Sequence, residues 1–414
     1  MTHDTVEVEI RDIAAGGDGV GRTDGLVVFA PRTAPGDRIR ASIARGKRFA
    51  RATRVEILRA SADRVAPVCA HYERDACGGC QLQHLSYDAQ RAAKAGMIRD
   101  AFVRIGRRAT ELPPVRHSWS PWRYRTKLTL ALRRAEGRWI AGLHRYDDPG
   151  AVFPLEDCAI TDERVMAAWD AIMAHAEWLP PADALRASVR LLDGGAGFVV
   201  EGGRAWPDGE RLLAAVPALS AIWWIPAETR GRRLVAARDE GLAHGASFAQ
   251  VNPRVAGQMR EYVLALVRTH GPRRVVDAYA GIGDTAEAVA RAGARVTAIE
   301  LDRDAVRACA ARLPAGSRAM AGRVEHLLPQ ALPADLIVLN PPRAGVAPEV
   351  TRALEGAAPR PSAIIYVSCD PATLARDVSR LPSFRVASLT AFDMFPQTAH
   401  VETVCELRPE EMAA

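Results

Sequence analysis

The stretch RVVDAYAGIGDTAEAVARAGARVTAIE, residues 274–300, decides the fold class of the C-terminal part of this 414-residue chain. An apolar run ending at Tyr279 is followed by Gly281 and Gly283, a helical pattern, and a second apolar run ending at Glu300. Strand, glycine turn, helix and strand in this order are typical of a doubly wound, mostly parallel α/β sheet. Glycines at such a turn let the backbone pass close to a ligand at the helix N-terminus.

The acidic residue that ends the second strand indicates what this turn binds. Glu300 comes nineteen residues after Gly281, and a carboxylate there can accept hydrogen bonds from both hydroxyls of an adenosine ribose. Only two glycines are present, which disfavours a pyrophosphate and favours S-adenosylmethionine. We therefore expect Gly281, Gly283, Asp284 and Glu300 to line a site for this cofactor.

The same alternation continues downstream, where ADLIVLN (334–340) and SAIIYVS (362–368) predict two further strands. Asn340 and two prolines end the first strand, and Cys369 follows the second. The carboxyl ends of parallel strands meet at one edge, so both side chains are candidates for an active site. A thiol held before a helix is partly ionised by the helix N-terminus and by nearby cations, which makes it a nucleophile.

The first sixty residues predict a small β-barrel. Short alternating runs are separated by glycine turns at GGDGVGR (16–22) and TAPGD (33–37), and the segment ends in RVEIL (54–58). The order of these segments resembles a TRAM domain, an OB-like RNA-binding module. We divide the chain into three predicted domains, namely a barrel at 1–60, a central α+β domain at 61–245, and a Rossmann-like domain at 246–414.

Four of the seven cysteines form a candidate metal-binding set. Cys69, Cys77 and Cys80 have the spacing C-x7-C-x2-C, and Cys158 offers a distant fourth thiolate. Four thiolates suit either structural zinc or a [4Fe–4S] cluster, and spacing does not separate these metals.

Charge and composition indicate the partner and the compartment. The net charge is +6, and basic clusters at residues 38–54 and 104–145 offer cations to a polyanion, although a solvated arginine-rich face has the same composition. Aromatic rings interleaved with the second cluster are candidates for base stacking, namely Trp119, Trp122, Tyr124, Trp139 and Tyr146. No apolar run approaches the roughly 20 residues that span a bilayer, and the start lacks a signal-peptide pattern. We expect a cytoplasmic protein without a membrane partner, and a monomer by default.

Five segments together resemble the RNA uracil-5-methyltransferases. They are FAQVN (248–252), DAYAGIGD (277–284), NPPRAG (340–345), YVSCDPATLARD (366–377) and MFPQTAHVET (394–403). CGGCQLQHLSYDAQRAAK (77–94) resembles the iron–sulfur segment of the same family, and the chain is most similar to the subgroup acting on 23S ribosomal RNA. The resemblance implies a SAM methyltransferase fold, S-adenosylmethionine as methyl donor, RNA as substrate, and a [4Fe–4S] cluster on the four cysteines above.

The resemblance also implies roles for single residues. Cofactor- or base-binding positions fall on Gln250, Tyr279, Glu300 and Asn340. Cys369 is the implied nucleophile and Glu402 the implied base, with His400 nearby. The family usually has Asp at the position of Asn340 and often Asn at that of Asp284. An Asn amide still accepts from uracil N3–H and donates to O4, so uracil remains readable.

The implied chemistry explains why these residue types are needed. Uracil C5 is a poor nucleophile, whereas addition of a thiolate at C6 creates an enolate whose C5 can take a methyl group. A base then removes the C5 proton, and the thiol leaves by β-elimination. A cysteine, a proton acceptor and a group that stabilises charge on O4 are therefore required.

Other readings of the sequence remain open. An exocyclic-amine methyltransferase also uses Asn-Pro-Pro, but such sites normally continue with a stacking aromatic residue, where this chain has Arg343. Within the resemblance, transfer RNA is the alternative substrate. In a different class, the chain is an RNA-binding assembly factor whose methylase domain is inactive.

Overall fold

A computed structural model describes residues 4–229, 231–239 and 250–410, which contain a closed barrel and two larger sheets. The barrel strands are β1 (Asp4–Ile13), β2 (Gly19–Thr23), β3 (Leu26–Ala30), β4 (Arg38–Arg45) and β5 (Phe49–Arg59). They follow the order β1-β2-β3-β5-β4 around the barrel. Alternate apolar residues such as Val8, Ile10 and Ile39 point inward and are almost fully buried, as period-2 patterning predicts. The prediction of an N-terminal β-barrel is confirmed.

The middle of the chain forms a seven-stranded sheet with helices. The helices are α1 (Ala70–Arg74), α2 (Tyr87–Ala101), which continues as a π-helical turn Phe102–Gly106, α3 (Glu163–Met173) and α4 (Gly209–Ala215). The strands are β6 (Val115–Arg116), β7 (Lys127–Ala135), β8 (Arg138–His144), β9 (Val152–Pro154), β10 (Ala184–Leu192), β11 (Gly195–Glu201), β12 (Leu219–Ile225) and β13 (Arg233–Ala237). A 3-10 turn covers Ala176–Trp178. The sheet order is β13-β12-β11-β10-β7-β8-β9 and the pairing is mainly antiparallel, which agrees with an α+β arrangement.

The C-terminal part alternates helices and strands. The helices are α5 (Pro253–His270), α6 (Asp284–Arg291), α7 (Arg303–Arg312), α8 (Val324–Ala331), α9 (Pro348–Glu355) and α10 (Pro371–Ser379). The strands are β14 (Arg274–Ala278), β15 (Arg295–Glu300), β16 (Arg318–Ala321), β17 (Leu336–Leu339), β18 (Ala363–Ser368), β19 (Phe384–Phe392) and β20 (Glu402–Pro409). With β6 they form one eight-stranded sheet in the order β16-β15-β14-β17-β18-β20-β19-β6.

The five strands from β16 to β18 are parallel, whereas β20 is antiparallel to both β18 and β19. Every residue of β17 and β18 is buried, as expected for central strands covered by helices on both faces. Two separate apolar clusters cover the sheet, one containing Ile337 and Tyr366 and the other Val338 and Ile365. The predicted doubly wound domain is confirmed, with an antiparallel pair added at its end.

Parts of the predicted central domain pack on this C-terminal sheet. Ile98 of α2 and Phe102 lie in the same apolar cluster as Tyr366 and Leu374. Strand β6 adds to the sheet beside β19. The division of the chain at residues 60 and 245 stays a prediction. Among the described residues, no helix has the length and apolar character needed to cross a membrane.

Candidate active site

The sheet order places most of the predicted site residues along one edge. Strands β15, β14, β17 and β18 are adjacent and parallel, so their carboxyl ends lie side by side. In that order, these ends carry Glu300, Gly281, Asn340 and Cys369. Neighbouring strands are about 4.8 Å apart, so two strand intervals, about 10 Å, separate the glycine turn from Cys369. A ligand bound over β17 would therefore reach both.

The glycine turn leaves open space on the ligand side. Tyr279, Gly281 and Gly283 have φ angles of 64°, 56° and 86°, in the left-handed region. A Cβ atom on Gly283 would lie 2.4 Å from Sγ of the buried Cys309, whereas one on Gly281 would meet nothing within 4 Å. Gly283 therefore permits packing on α7, and Gly281 leaves room above the turn.

Glu300 holds the turn through its carboxylate. Oε2 accepts a hydrogen bond from the Gly281 N–H at 2.9 Å. Oε1 accepts from the N–H groups of Leu301 at 2.7 Å and Asp302 at 2.9 Å. A carboxylate offers about four acceptor positions, so one remains for a ligand hydroxyl. The Asp284 carboxylate, by contrast, pairs with Arg312 at 2.8 Å, which ties α6 to α7. The cofactor-contacting role assigned to Asp284 stays a prediction.

The remaining cofactor candidates lie beside this turn or before α5. The side chain of Asn340 is exposed, and the backbone N–H of this residue donates to the Ala278 carbonyl at 3.2 Å. Gln250 is half-buried, whereas the first two residues of the FAQVN motif lie outside the described residues. Asn252 of that motif is buried and caps α5, with its Oδ1 accepting from the Val255 N–H at 3.3 Å.

Cys369 and Glu402 come together through an antiparallel strand pair. The register of β18 and β20 places Ser368 opposite Thr403, so Cys369 and Glu402 occupy the next pair of positions. Burial raises the pKa of the half-buried Cys369 thiol, and the negative charge of Glu402 raises it further. The candidate nucleophile and the candidate base therefore face each other at the sheet edge.

Arg343 is the cation of this site, and the sequence analysis did not assign it a role there. Its positive charge lies close enough to Cys369 to lower the pKa of that thiol. Burial raises the pKa of Glu402 to about 7, and Arg343 opposes this shift. The sequence contains many arginines, so residue type alone could not identify Arg343 as part of the site. The available signal was its place directly after Asn-Pro-Pro, at the same edge as Cys369.

Comparisons with known proteins agree with this geometry. Residues 315–409 match the family model described as tRNA (uracil-5-)-methyltransferase, and residues 1–53 match the TRAM domain. An uncharacterized RNA methyltransferase of Halalkalibacterium halodurans is 30% identical, covering 98% of this chain and 97% of the relative. Another, from Synechocystis sp., is 33% identical, covering 97% and 95%. The chain belongs to the RNA uracil-5-methyltransferase family.

A solved structure confirms the fold of this family member. The Pyrococcus abyssi tRNA (uracil-54, C5)-methyltransferase, solved with S-adenosyl-L-homocysteine, is similar with a TM-score of 0.72. The match covers 97% of this chain and 99% of that one at 21% identity. The expectations of a methyltransferase enzyme, a TRAM domain and a SAM methyltransferase fold are confirmed.

In this family member the four candidate metal ligands line one cavity. Cys69, Cys77, Cys80 and Cys158 surround a space of about 290 Å³ that extends to Arg343. Burial raises the pKa of Cys77 to about 11, and the neighbouring Cys158 and Cys69 raise it further. These thiols are therefore close enough to influence one another electrostatically.

The same four cysteines are not arranged as the ligands of a single metal ion. Among residues 4–229, 231–239 and 250–410, no group of three or more His, Cys, Asp or Glu side chains has an arrangement that could hold a metal ion. The described residues therefore do not show the four cysteines already arranged as a metal site, and the expected metal site stays a prediction.

The structure also corrects part of the predicted RNA-binding surface. Trp119 is 67% exposed, whereas Tyr124 is buried and its hydroxyl donates to the Pro396 carbonyl at 3.0 Å. Tyr124 therefore supports the site from within, and it is wrong as a base-stacking candidate. On the barrel, Arg38 and Arg45 pair with acidic residues at 2.9 and 2.8 Å, which reduces the predicted positive potential there.

Proposed function

We propose that this protein methylates C5 of a uridine in RNA with S-adenosylmethionine, using Cys369 as nucleophile and Glu402 as base. The observation that carries the proposal is the pairing of these two residues beside Arg343, on the edge that also holds the glycine turn. The methyltransferase family and the open space above Gly281 support the choice of cofactor.

The first step is addition of the Cys369 thiolate to uracil C6. Arg343 favours ionisation of the thiol, because a nearby cation stabilises the charged form. The new S–C6 bond moves electron density to C5 and O4. The exposed amide of Asn340 would donate to O4 and accept from N3–H. Bound S-adenosylmethionine supplies a methyl group on a sulfonium centre.

The last step restores the aromatic uracil ring. After the methyl group has joined C5, Glu402 takes the C5 proton, the C5–C6 double bond forms again and the S–C6 bond breaks. The thiolate returns to Cys369. A base works best with a pKa near the working pH, and the buried Glu402 carboxyl has a pKa of about 7.

For the substrate, we propose 23S ribosomal RNA. The proposal rests on the TRAM domain together with the four-cysteine segment, which is the combination that the resemblance assigns to that subgroup. Transfer RNA is the alternative, because both the matched family model and the solved relative are described as tRNA methyltransferases. Mapping 5-methyluridine in both RNA pools from cells lacking the gene decides between them, since only the true substrate loses its modified base.

A trapping experiment tests the covalent mechanism. RNA containing 5-fluorouracil has no C5 proton to remove, so we expect a protein–RNA adduct that survives denaturation when S-adenosylmethionine is present. Cys369→Ala should abolish the adduct, and Cys309→Ala, at a buried cysteine below the glycine turn, is the matched control. A wild-type protein that binds the RNA and forms no adduct would refute the mechanism.

We further propose that the four cysteines hold a [4Fe–4S] cluster. Four thiols lining one cavity are a correct donor set for such a cluster, and the resemblance to the iron–sulfur segment of the family favours it over a single zinc ion. Purification without oxygen should give a brown protein with iron and labile sulfide in equal amounts. A colourless protein containing one zinc per chain would contradict this assignment.

A further inference from the structure

The loop at residues 393–401 joins β19 to β20 and ends directly before Glu402. We call it the base loop. It contains no helix or strand, yet seven of its nine residues are buried. Gln397, at its centre, is 2% exposed and has a φ of 71°, an unfavourable conformation for a residue other than glycine. Its shape therefore depends on contacts with neighbouring segments.

Helix α2 contacts the centre of the base loop through two hydrogen bonds between Gln90 and Gln397. Nε2 of Gln90 donates to Oε1 of Gln397 at 3.0 Å, and Oε1 of Gln90 accepts from the Gln397 backbone N–H at 2.9 Å. Nε2 of Gln90 also donates to the Leu85 carbonyl at 3.0 Å. Both glutamines are almost fully buried, where hydrogen bonds are strong and no water replaces a lost partner.

A second contact from α2 fixes the start of the base loop. Nζ of Lys94 pairs with Oδ1 of Asp393 at 2.5 Å and donates to the Phe395 carbonyl at 3.0 Å. Lys94 and Asp393 are both completely buried. Loss of either partner would leave an unpaired buried charge, which is strongly unfavourable, so this ion pair ties α2 to the start of the base loop.

The cysteine segment, residues 77–85, holds the base loop from another side. The N–H groups of Gln81 and Leu82 donate to the Gln397 carbonyl at 3.1 and 2.9 Å. Oε1 of Gln81 accepts from the Ala399 N–H at 3.3 Å. Since Gln81 directly follows Cys80, the cysteine cavity and the base loop share one set of hydrogen bonds.

We infer that Gln90, through its amide contacts with Gln397, is a positioning residue that places Glu402 for removal of the C5 proton. The inference rests on the proposed role of Glu402 as base. Cys369 follows β18 and the glycine turn follows β14, and in the described part of the chain no hydrogen bond joins either of them directly to the base loop. A displaced base loop would therefore impair the last step of the reaction and spare thiolate addition and methyl transfer.

The test uses full-length Gln90→Met, which keeps the side-chain length and removes both amide contacts. With ordinary uridine RNA, we expect steady-state turnover to fall roughly 10-fold or more, because small displacements of a catalytic group have large effects. Methyl transfer in a single turnover should remain, and a methylated protein–RNA adduct should accumulate and survive denaturation. Glu402→Gln should give the same adduct.

Two further variants make the result specific. Gln258→Met removes an amide of α5 whose buried oxygen has no hydrogen-bond partner in the described part of the chain, so its turnover should match wild type. Gln90→Glu retains an acceptor for the Gln397 N–H and should accumulate less adduct than Gln90→Met. These variants separate loss of a specific contact from general loss of a buried amide.

The possible outcomes are distinct. Wild-type turnover in Gln90→Met would overturn the inference, as would a parallel loss of RNA binding, methyl transfer and melting temperature, which indicates a purely structural role. Failure of the proposed function has a different signature, because the wild-type protein would then form no adduct with 5-fluorouracil RNA. Trapping by wild type together with normal turnover in Gln90→Met would contradict only the positioning role.

Discussion

The carboxyl edge of strands β15, β14, β17 and β18 has a cofactor end and a catalytic end, and the carboxylates at these two ends are held in different ways. At the cofactor end, around Gly281, Gly283 and Glu300, the carboxylate satisfies three backbone N–H groups within a short stretch of chain. At the catalytic end, Glu402 is buried with a pKa raised to about 7, and Arg343 is the cation that opposes the shift. The Glu300 carboxylate is thus satisfied by hydrogen bonds in the free protein, whereas the Glu402 carboxylate retains an electrostatic strain that favours reaction over stability.

The largest expected effect comes from Glu402→Gln, which should lower turnover roughly 10²–10⁴-fold because the general base is lost. The same change should stabilise the fold. The folded pKa of Glu402 lies above its usual 4.5, so its contribution to stability is full below about pH 4.5 and is lost as pH rises through 7. A shift of that size corresponds to at most about 3.4 kcal/mol.

Chemical denaturation of wild type and Glu402→Gln at pH 5 and pH 8 checks this prediction. The stability gain of the variant should be present at pH 8 and shrink towards pH 5. If the variant and wild type differed in free energy of unfolding by the same amount at pH 5 and pH 8, Glu402 would not be strained in the folded protein. The contrast between Glu300 and Glu402 would then disappear.

The next effect in size is expected for Arg343→Met, with a rate loss of roughly 10²-fold. Removal of the cation raises the pKa of both Cys369 and Glu402, so the rising limb of the pH–rate profile should move to higher pH. Arg343→Lys should restore part of the rate, since it keeps the charge. A profile that does not move would show that Arg343 serves only to bind RNA.

Two glycine substitutions test the cofactor end, and we expect smaller effects from them than from the changes at Glu402 and Arg343. Gly283→Ala should destabilise the protein by more than the roughly 1–2 kcal/mol of a left-handed alanine, because its Cβ also overlaps Cys309. Gly281→Ala should destabilise by only about that amount, since its Cβ meets no atom, and should instead weaken S-adenosylmethionine binding. Thermal unfolding without ligand and calorimetric titration with it separate the two effects. Equal behaviour of the two variants would contradict the open-space interpretation.

The smallest expected effect concerns Glu300→Gln. The amide retains one acceptor oxygen for the backbone N–H groups, so the free energy of unfolding of the free protein should fall by only about 0.5–1.5 kcal/mol. Binding of S-adenosylmethionine should weaken roughly tenfold, because a charged acceptor contributes more than a neutral one. A normal dissociation constant would remove Glu300 from the ribose-binding role.

The sequence alone determined the features that depend on local pattern. Period-2 strands with glycine turns gave the barrel, and the order of strand, glycine turn, helix and acid gave the parallel sheet and the place of Gly281 and Glu300. Cys369 was identified for the same reason, because it directly follows a fully apolar strand. Such patterns are visible in sequence because they follow from backbone geometry within a few residues.

Only the tertiary structure decided how distant segments meet. The antiparallel register that sets Glu402 opposite Cys369, the electrostatic effect of Arg343 on the thiol, and the burial of Tyr124 all depend on packing between separate elements. The bond between Gln90 and Gln397 joins residues 307 positions apart. Sequence patterns carry no signal for such pairs, since the close packing of the whole core fixes which side chains become neighbours.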